Sequence, residues 1–554
     1  MKKIGLWLIG LYLLLYILPL GSRPLFEPDE VRYGEIAREI VVSGDWVVPR
    51  INGLRYFEKP IMGHWLNAIA QLIFGQNNFA VRISSAIASG FSALLLFMLV
   101  RRGSDEKNFA LAVTGIFLSC GLIYFVGTFS VLDAIFSAWV TATLVFFYCA
   151  AVAVGSKARF LYLLLAGVAC GCAFLTKGFL AFVIPAVTIV PWLIWEKRYR
   201  DIYILPWVPL IMVIIVIAPW SYLVHLRDDD FWHYFVLVEH FQRFTAKVKS
   251  QHPQPFWFFI PILLGGTLPW VFLLPGMVAG FRGKLKVLFE QSLMRYSACW
   301  LVFPFLLMSC SSGKLGPYIL PCFPAVAILI GAGLREYLKV GGPGMFFRKT
   351  VYVLVGASAI MLIGLAVIQT LYFLDITNFA LYDRGEIGKL IIVTVAILAF
   401  GLGMLSSLRR DIASVYRLVR FGLSVLPVFL AWHFIVPNLV IDDKVPARFI
   451  KEIADRIKPD TVIVSYKNHV TSLAWYLKRN DIYVYRRGGE LTYGLEKPDA
   501  ENRLLSEEGF VEFIKNKPKG QHVAMFVDSD KQFKVLPPFS RYFLHGENYL
   551  VEYD

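Results

Sequence analysis

The first polar stretch of the chain reads Phe26-Glu27-Pro28-Asp29-Glu30-Val31-Arg32-Tyr33-Gly34-Glu35, and a second follows as Leu54-Arg55-Tyr56-Phe57-Glu58-Lys59-Pro60. They come after an apolar segment at 4–20, in a chain whose other long segments are mostly apolar. Acids, bases and tyrosines that lie just beyond the end of an apolar helix indicate a site at a membrane surface. The fold is therefore decided by whether the remaining apolar segments cross a membrane.

Composition favours a membrane protein. Of 554 residues, 57% are hydrophobic and 17% are charged, with a mean hydropathy of +0.59. A soluble domain carries about 25% charged residues, and an apolar run of about 20 residues suffices to cross a bilayer. We therefore expect an α-helical polytopic membrane protein with about thirteen spans. The expected spans are 4–21, 80–100, 108–127, 131–153, 159–176, 179–195, 203–225, 256–281, 296–312, 317–337, 350–373, 388–408 and 418–437.

Basic residues predict the orientation. Lys2 and Lys3 precede the first span, and Arg23-Pro24 follows it where a signal peptide would have small residues, so we expect an uncleaved span that starts inside. Every second loop is then basic, which also explains the net charge of +15 without nucleic acid as a partner. These loops contain Arg101-Arg102, Lys157-Ala158-Arg159, Lys197-Arg198-Tyr199-Arg200, Arg282-Gly283-Lys284, Arg348-Lys349 and Arg409-Arg410.

Two domains are predicted. A transmembrane domain at 1–437 carries outside loops at 22–79 and 226–255, and a small α/β domain at 438–554 also lies outside. In the second domain, strands at 461–465, 481–485 and 522–527 alternate with helices at 446–457, 468–479 and 506–516. Within the first loop, 33–42 is expected to form a short helix, and 61–74 an amphipathic helix at the membrane interface.

The cysteines do not form a disulfide framework. The 7 cysteines are scattered through or beside apolar spans, and an odd number is left after pairing. Cys170-Gly171-Cys172 is read as core packing.

Six polar motifs fall on the predicted outside. They are Asp29–Tyr33, Tyr56–Pro60, Thr128–Ser130 with Asp133, Thr176–Gly178, Phe231–Tyr234 with Glu239–Phe244, and Gly313–Tyr318. Lys177 and Lys314 in this set oppose the inside preference of lysine. They are either lysines that snorkel at helix ends or, together with Lys59, Arg32 and Arg243, part of a site for an anion.

Individual residue types suggest the chemistry. Asp29 and Glu30 suit the start of a helix, yet two carboxylates beside Arg32 and Tyr33 exceed what a helix cap requires. Tyrosine hydroxyls, as in Tyr33, Tyr56 and Tyr318, can donate hydrogen bonds to phosphate. Glu58 and His240 have the ligand types of a zinc or manganese site. Asp133, at the outer end of a span, either pairs with a base or caps its helix.

These motifs resemble the membrane glycosyltransferases of GT-C fold that use sugars linked to lipid phosphates. The resemblance is closest to the bacterial aminoarabinose transferases of glycosyltransferase family 83, related to protein O-mannosyltransferases. It also includes Gly489-Glu490-Leu491, Tyr493-Gly494-Leu495 and Pro498-Asp499-Ala500, so it spans the whole chain. One departure is Gly316-Pro317 before Tyr318, where the family often has Pro-Thr.

The resemblance implies a pentosyltransferase that moves 4-amino-4-deoxy-L-arabinose from undecaprenyl phosphate to lipid A phosphates. It implies a monomer in the Gram-negative inner membrane, with its active site on the periplasmic face, and resistance to polymyxin and cationic antimicrobial peptides. No cofactor is required, and a divalent metal at Glu58 and His240 is left open. Residues expected to act in catalysis are Asp29, Glu30, Lys59 and Asp133. Residues expected to bind substrates are Arg32, Tyr33, Tyr56, Glu58, Lys177, Glu239, His240, Arg243, Lys314 and Tyr318.

Two other functions stay open at this stage. A protein O-mannosyltransferase-like enzyme would share the acidic pair, and Asp29 would then serve as general base for a protein hydroxyl. A lipid or sugar transporter would place ionisable groups near mid-membrane, often in repeated halves. The charges here cluster at the outer ends of the spans, which favours the enzyme.

Overall fold

The structure, a computed structural model, describes residues 2–104, 106–242, 252–282, 284–444, 446–546 and 548–554. The chain divides into two compact units. The first unit consists of Met1–Ser22, Ile83–Tyr222 and Val236–Val436, and the second of Arg23–Arg82, Leu223–Phe235 and Pro437–Asp554. The last segment of the second unit begins at Pro437, and the two earlier segments of this unit were expected in the transmembrane domain.

Long apolar helices dominate the structure. Within the described residues, ten helices are long and apolar enough to cross a membrane. Many turn large apolar side chains outward, such as Ile360 at 72% exposure and Leu402 at 66%. This outer surface suits lipid, since water would disfavour it. The ten are Ile4–Gly21, Asn78–Ser104, Leu132–Ala151, Ser156–Lys177, Tyr199–Arg227, Ser292–Cys310, Gly316–Lys339, Met345–Phe373, Arg384–Ser406 and Ser414–Trp432.

Three expected spans differ from a continuous long helix. Two are bent pairs, Lys107–Leu118 with Gly121–Gly127 at 64° and Phe256–Gly266 with Trp270–Phe281 at 90°, which raise the count to at most twelve in the described chain. The third, expected at 179–195, is the shorter helix Leu180–Trp195. The expected number of about thirteen therefore includes one helix that is short for a bilayer about 30 Å thick.

The two bends satisfy each other's free polar groups. The Gly121 N–H in one bend donates to the carbonyl of Leu268 in the other at 3.2 Å. The indole Nε1 of the buried Trp270 donates to the hydroxyl of Ser119 at 2.9 Å. Irregular backbone is tolerated at membrane depth where protein groups replace the missing helical bonds.

Close packing explains the glycine between two cysteines. A Cβ at Gly171 would lie 2.8 Å from the side chain of Val216, and one at Gly167 would lie 2.6 Å from the Pro209 carbonyl. Small residues four apart let helices approach closely where no hydrophobic effect drives them together. Cys170 and Cys172 are buried free thiols beside this contact, as core packing predicts.

The second unit contains all the strands of the described chain. They are β1 (Arg50–Ile51), β2 (Leu54–Arg55), β3 (Val462–Tyr466), β4 (Tyr483–Tyr485), β5 (Leu504–Leu505), β6 (Val523–Val527), β7 (Arg541–His545) and β8 (Asn548–Tyr553). Strands β1 and β2 form a hairpin, and the others form one sheet in the order β5-β4-β3-β6-β8-β7. The pairs among β5, β4, β3 and β6 are parallel, whereas β8 and β7 are antiparallel additions.

Helices complete this unit. The predicted helices at 446–457, 468–479 and 506–516 correspond to Ala447–Ala454, Lys467–Leu477 and Glu507–Asn516. The other helices of four or more residues are Asp29–Ser43, Met62–Phe74, Asn438–Lys444, Thr492–Leu495 and Asp530–Phe533. Helix Met62–Phe74 exposes Leu72 and Ile73 and buries His64 and Asn67, so its outward face is the apolar one. That arrangement fits the helix expected at a membrane interface.

Buried hydrogen bonds hold the β1–β2 hairpin to the C-terminal sheet. The side-chain amide of Asn52 donates to the Ile482 carbonyl at 2.7 Å and accepts from the Ile482 N–H at 2.9 Å. The guanidinium of Arg503 donates to the Asn52 carbonyl at 2.7 Å. Gly53 has φ +71°, and a Cβ there would lie 2.8 Å from the Asn480 carbonyl. The hairpin is thus a structural part of the C-terminal domain.

Asn52→Ala is expected to loosen this hairpin. The substitution leaves both buried polar groups of Ile482 unpaired, which costs about 3 kcal/mol. Limited trypsin digestion of the purified full chain should then cut at Arg50 and Arg55 at least about 10-fold faster, because cleavage follows the open population. Asn516→Ala, at an exposed helix end, is the control. Equal digestion rates in the two variants would contradict the proposed attachment.

Candidate active site

Asp29 begins helix Asp29–Ser43 and belongs to a network of charges in the second unit. The guanidinium of Arg32 lies 3.4 Å from the Asp29 carboxylate and 2.8 Å from that of Glu490. Arg32 is 12% exposed, while Asp29 and Glu490 are 39% and 34% exposed. The arginine is therefore largely buried, and its two carboxylate partners are partly exposed, so that they could bind a polar ligand.

Glu30, the other member of the acidic pair, has a different environment. Its carboxylate is fully buried and accepts from Arg23 at 2.6 Å, from Arg82 at 2.6 and 2.8 Å, and from the Phe26 N–H at 3.0 Å. Burial alone would raise its pKa, but Arg82 and Arg23 lower it to about 2. Glu30 is thus a permanent anion that fixes the loop before the helix. Its geometry assigns it to folding, whereas the carboxylate of Asp29 is 39% exposed.

The second motif lies beside this network. The hydroxyl of the buried Tyr56 donates to the Glu58 carboxylate at 3.3 Å, and the amine of Lys59 donates to the Glu58 carbonyl at 2.9 Å. Burial, and then Glu58, raise the pKa of Tyr56 well above its usual value, so it stays a hydrogen-bond donor. The ring of Tyr33 lies 5.9 Å from that of His64. The predicted residues 29–33 and 56–59 are all members of this one unit.

A cavity of about 200 Å³ opens beside Arg32 and Glu490. Burial raises the pKa of the Glu490 carboxyl, Glu58 and Asp29 add to the increase, and Arg32 opposes it. Glu490 was not among the residues predicted for the site. Its signal was the motif Gly489-Glu490-Leu491, which resembles the family but does not show which loop it faces.

The other predicted residues lie in the first unit. The amine of Lys177 forms a salt bridge with Asp133 and lies 4.3 Å from the centre of the Tyr318 ring. The buried amine of Lys314 donates to the carbonyls of Gln254, at 3.0 Å, and Ser311. Lys314 therefore fastens two backbone segments together. Both lysines have partners inside the protein, which explains how they are retained at these positions.

Three predicted residues cannot be placed. Arg243 and the side chains of Glu239 and His240 lie outside the described residues. Among those described, no group of three or more histidines, cysteines, aspartates and glutamates could hold a metal ion. The pairing of Glu58 with His240 stays a prediction.

A buried histidine supports the entry to the cavity. The ring nitrogens of His469 lie 3.3 Å from the Glu27 carboxylate and 2.9 Å from that of Asp528. Ser472 also donates to Glu27. Burial alone would lower the pKa of His469, but the two carboxylates raise it to about 9. An imidazolium therefore joins Glu27, next to the cavity, to the end of β6.

This histidine predicts a fall in stability at alkaline pH. Its pKa in the folded chain lies above the usual value near 6.5, so its contribution is complete below about pH 6.5 and is lost as the pH rises through about 9. The full effect is at most about 3 kcal/mol, at about 1.4 kcal/mol per pKa unit. Thermal unfolding of the purified chain between pH 6 and 9.5 should show this decrease.

The variant His469→Gln should be less stable at pH 6 and should show a weaker pH dependence. His545→Gln is the matched control, since His545 is partly exposed and contacts only Glu452 among the carboxylates of the described chain. A slope in His469→Gln equal to that of the unsubstituted chain would contradict the role of His469.

Comparisons with known proteins agree with this architecture. Residues 4–235 match the family described as dolichyl-phosphate-mannose-protein mannosyltransferase, and residues 441–550 match the C-terminal domain of arabinosyl transferase ArnT. Two solved structures of ArnT from Cupriavidus metallidurans, one apo and one bound to undecaprenyl phosphate, align with TM-scores of 0.82 at 23% identity. The apo structure covers 100% of this chain and 98% of its own, and the bound structure 99% and 97%.

Sequence relatives are closer. The undecaprenyl phosphate-α-4-amino-4-deoxy-L-arabinose arabinosyl transferase of Shewanella sediminis is 38% identical over 546 residues, covering 98% of this chain and 96% of its own. That of Erwinia tasmaniensis is 40% identical over 504 residues, covering 91% and 89%. With a full-length fold and relatives of this identity, the chain belongs to the family of undecaprenyl phosphate-α-4-amino-4-deoxy-L-arabinose arabinosyl transferases, which are multi-pass membrane glycosyltransferases.

Proposed function

We propose that the chain transfers 4-amino-4-deoxy-L-arabinose from undecaprenyl phosphate to the phosphate groups of lipid A. Family membership supports the donor, because the relatives are named for this sugar and carrier and a solved relative holds undecaprenyl phosphate. The supporting observation in the chain itself is the charge network of Asp29, Arg32 and Glu490. It offers two carboxylates for an ammonium sugar beside one guanidinium, that of Arg32, for phosphate.

The reaction exchanges one bond for another. An oxygen of the acceptor phosphate forms a bond to the anomeric carbon of the sugar, and the bond from that carbon to the donor phosphate oxygen breaks. The electron pair leaves with undecaprenyl phosphate, which gains one negative charge. Inversion at the anomeric carbon follows from a single displacement. Cations fixed near the leaving oxygen lower the barrier because charge grows there.

Residue roles follow from this charge flow. Lys59, Arg243, Tyr33 and Tyr318 are assigned to the donor phosphate, with Tyr56 nearby. Lys177, which pairs with Asp133, and Lys314, which donates to backbone carbonyls, are assigned to the donor phosphate or to the acceptor phosphate of lipid A. Glu239 is assigned to substrate binding.

The acceptor determines what Asp29 does. A lipid A phosphate is ionised at neutral pH, so no base is needed to remove a proton from it. Asp29 then serves to position the ammonium group of the sugar, together with Glu490. A protein hydroxyl acceptor would need a base, and the match of 4–235 to protein mannosyltransferases makes that the second candidate function. The aminoarabinose reading also accounts for the C-terminal match at 441–550.

The proposed setting is the periplasmic face of the Gram-negative inner membrane, with the chain acting as a monomer. Addition of an amine to lipid A reduces negative surface charge and gives resistance to polymyxin and cationic antimicrobial peptides.

A zinc or manganese ion at Glu58 and His240 belongs to the proposal as a structural option only. Zinc sites use three or four protein ligands, and of the proposed pair only the side chain of Glu58 lies within the described residues, so no step above passes through a metal.

Lys59→Ala is expected to abolish transfer. Mass spectrometry of lipid A from a transferase-null strain should show an aminoarabinose increment with the unsubstituted chain and lose it with Lys59→Ala at equal membrane levels. The loss is expected to reach about 100-fold, as for other preorganised groups that stabilise transition-state charge. Lys519→Ala, an exposed lysine, is the control. No increment from the unsubstituted chain, with donor lipid present, would contradict the proposed acceptor or sugar.

Asp29→Asn is expected to act on the sugar amine. With the aminoarabinose donor, kcat/KM should fall about 30-fold, the value of a lost charge-assisted hydrogen bond. With a donor that carries arabinose, in which a hydroxyl replaces the amine, the variant and the unsubstituted chain should differ little. Equal losses on both donors would contradict a role for Asp29 at the amine and would favour the second candidate function, in which it is a general base. Retained turnover of the aminoarabinose donor would remove any essential role for Asp29.

A further inference from the structure

A second cavity lies entirely within the C-terminal domain. Its volume is about 510 Å³, and it opens where the parallel strands β3, β4 and β5 end. The lining includes Tyr466, Lys467, Arg486, Arg487 and Glu507. Three cations therefore face one carboxylate. In open α/β sheets, ligands bind beyond the carboxyl ends of the strands, near the point where strand order reverses. Here the order reverses between β3 and β6, and the cavity lies next to this point, at the ends of β3, β4 and β5.

The cations of this cavity are only partly neutralised. Arg486 forms an ion pair with Glu507. Arg487 and Lys467 are exposed, and no hydrogen bond or ion pair joins either side chain to another described residue. The hydroxyl of Tyr466 is buried and has no hydrogen-bond partner in the described chain. A buried hydroxyl without a hydrogen-bond partner destabilises the fold. It therefore marks a place where the hydroxyl could donate a hydrogen bond to an oxygen atom of a ligand.

The backbone holds these groups at the opening. Arg486 has φ +68°, a left-handed conformation that costs a non-glycine residue energy and persists only where its surroundings require it. Gly489 has φ +58°, and a Cβ there would lie 2.5 Å from Cδ of Lys467. The side chain of Lys467 thus packs directly against the backbone of Gly489, where any larger residue would collide with it. It lines this cavity and also the smaller one beside Arg32 and Glu490.

We propose that this cavity, which we call the strand-end cleft, binds a phosphate monoester on the sugar headgroup of the lipid acceptor. The inference rests on the proposed function and assigns the acceptor a site of its own, separate from the donor groups at Lys59. Phosphate suits two unpaired cations and a hydroxyl donor. A volume near 500 Å³ is in the range of small-molecule sites and has room for a phosphorylated sugar. Lys467 connects the acceptor site to the Asp29 network.

The test variant is Arg487→Gln with Tyr466→Phe. Lys467 is left unchanged because it also lines the smaller cavity. In the purified full chain in lipid nanodiscs, we expect the double variant to raise the KM for lipid A about 10-fold and to leave the KM for the donor unchanged. The matched control, Lys519→Gln, removes the same charge elsewhere in the domain and should alter neither KM. An unchanged KM for lipid A in the double variant overturns the proposal.

Direct binding separates this inference from the proposed function. Lipid A, the same lipid without its phosphates, and soluble glucosamine 1-phosphate are each titrated against both chains. The proposal requires that lipid A bind about 10-fold more weakly to the double variant and that dephosphorylated lipid bind both chains equally. Glucosamine 1-phosphate binding as tightly as lipid A would overturn the lipid assignment. If lipid A binds through these residues but receives no sugar, the proposed transfer fails and the cleft stands.

Discussion

The second unit depends on one carboxylate that water does not reach. Removal of an ion from water costs several kcal/mol unless partners replace its hydration, and Glu30 has two arginines and a backbone N–H for this purpose. Arg23 comes from the loop, and Arg82 from helix Asn78–Ser104. Their convergence sets where helix Asp29–Ser43 begins, and hence where Asp29 and Arg32 stand. The two carboxylates of this acidic pair thus have different environments, since Glu30 is fully buried among its arginine partners and Asp29 is 39% exposed.

Features that depend on length and periodicity could be predicted from the sequence. Apolar runs of about 20 residues predicted the long helices. The alternation of strand-like and helix-like segments predicted β3, β4, β6 and the helices between them, each to within a few residues. The bends at 119–120 and 267–269 could not be seen, because hydropathy is the same in a straight helix and a broken one. Asp29 and Arg32 were predicted as site residues. Glu490 was not, although its motif was noted, because an ion pair between residues more than 450 positions apart leaves no local pattern. Lys314 was expected to bind substrate, and its contacts with the backbone carbonyls of Gln254 and Ser311 could not be seen in the sequence.

Charged side chains in the two units differ in how far they are neutralised by partners. In the first unit, Lys177 and Lys314 are occupied by a carboxylate and by backbone carbonyls, as groups in an apolar environment must be. In the second unit, Arg32 has two carboxylates, whereas Arg487 has no ionic partner in the described chain. A neutralised network suits a zwitterionic or cationic sugar, and unneutralised cations suit an anion. The two cavities described above therefore differ in the charge of the residues that line them.

The bonds between Asn52 and Ile482 have a consequence for how such enzymes can be recombined. The hairpin and the C-terminal sheet are separated by more than 400 residues of chain, yet each supplies the other's missing donors and acceptors. A chimera that takes its first loop from one relative and its last domain from another would combine two surfaces whose hydrogen-bond donors and acceptors do not match. Exchange of the C-terminal domain among relatives must therefore carry residues 50–55 along with it. The segments that must be exchanged together are far apart in the sequence but are in contact in the structure.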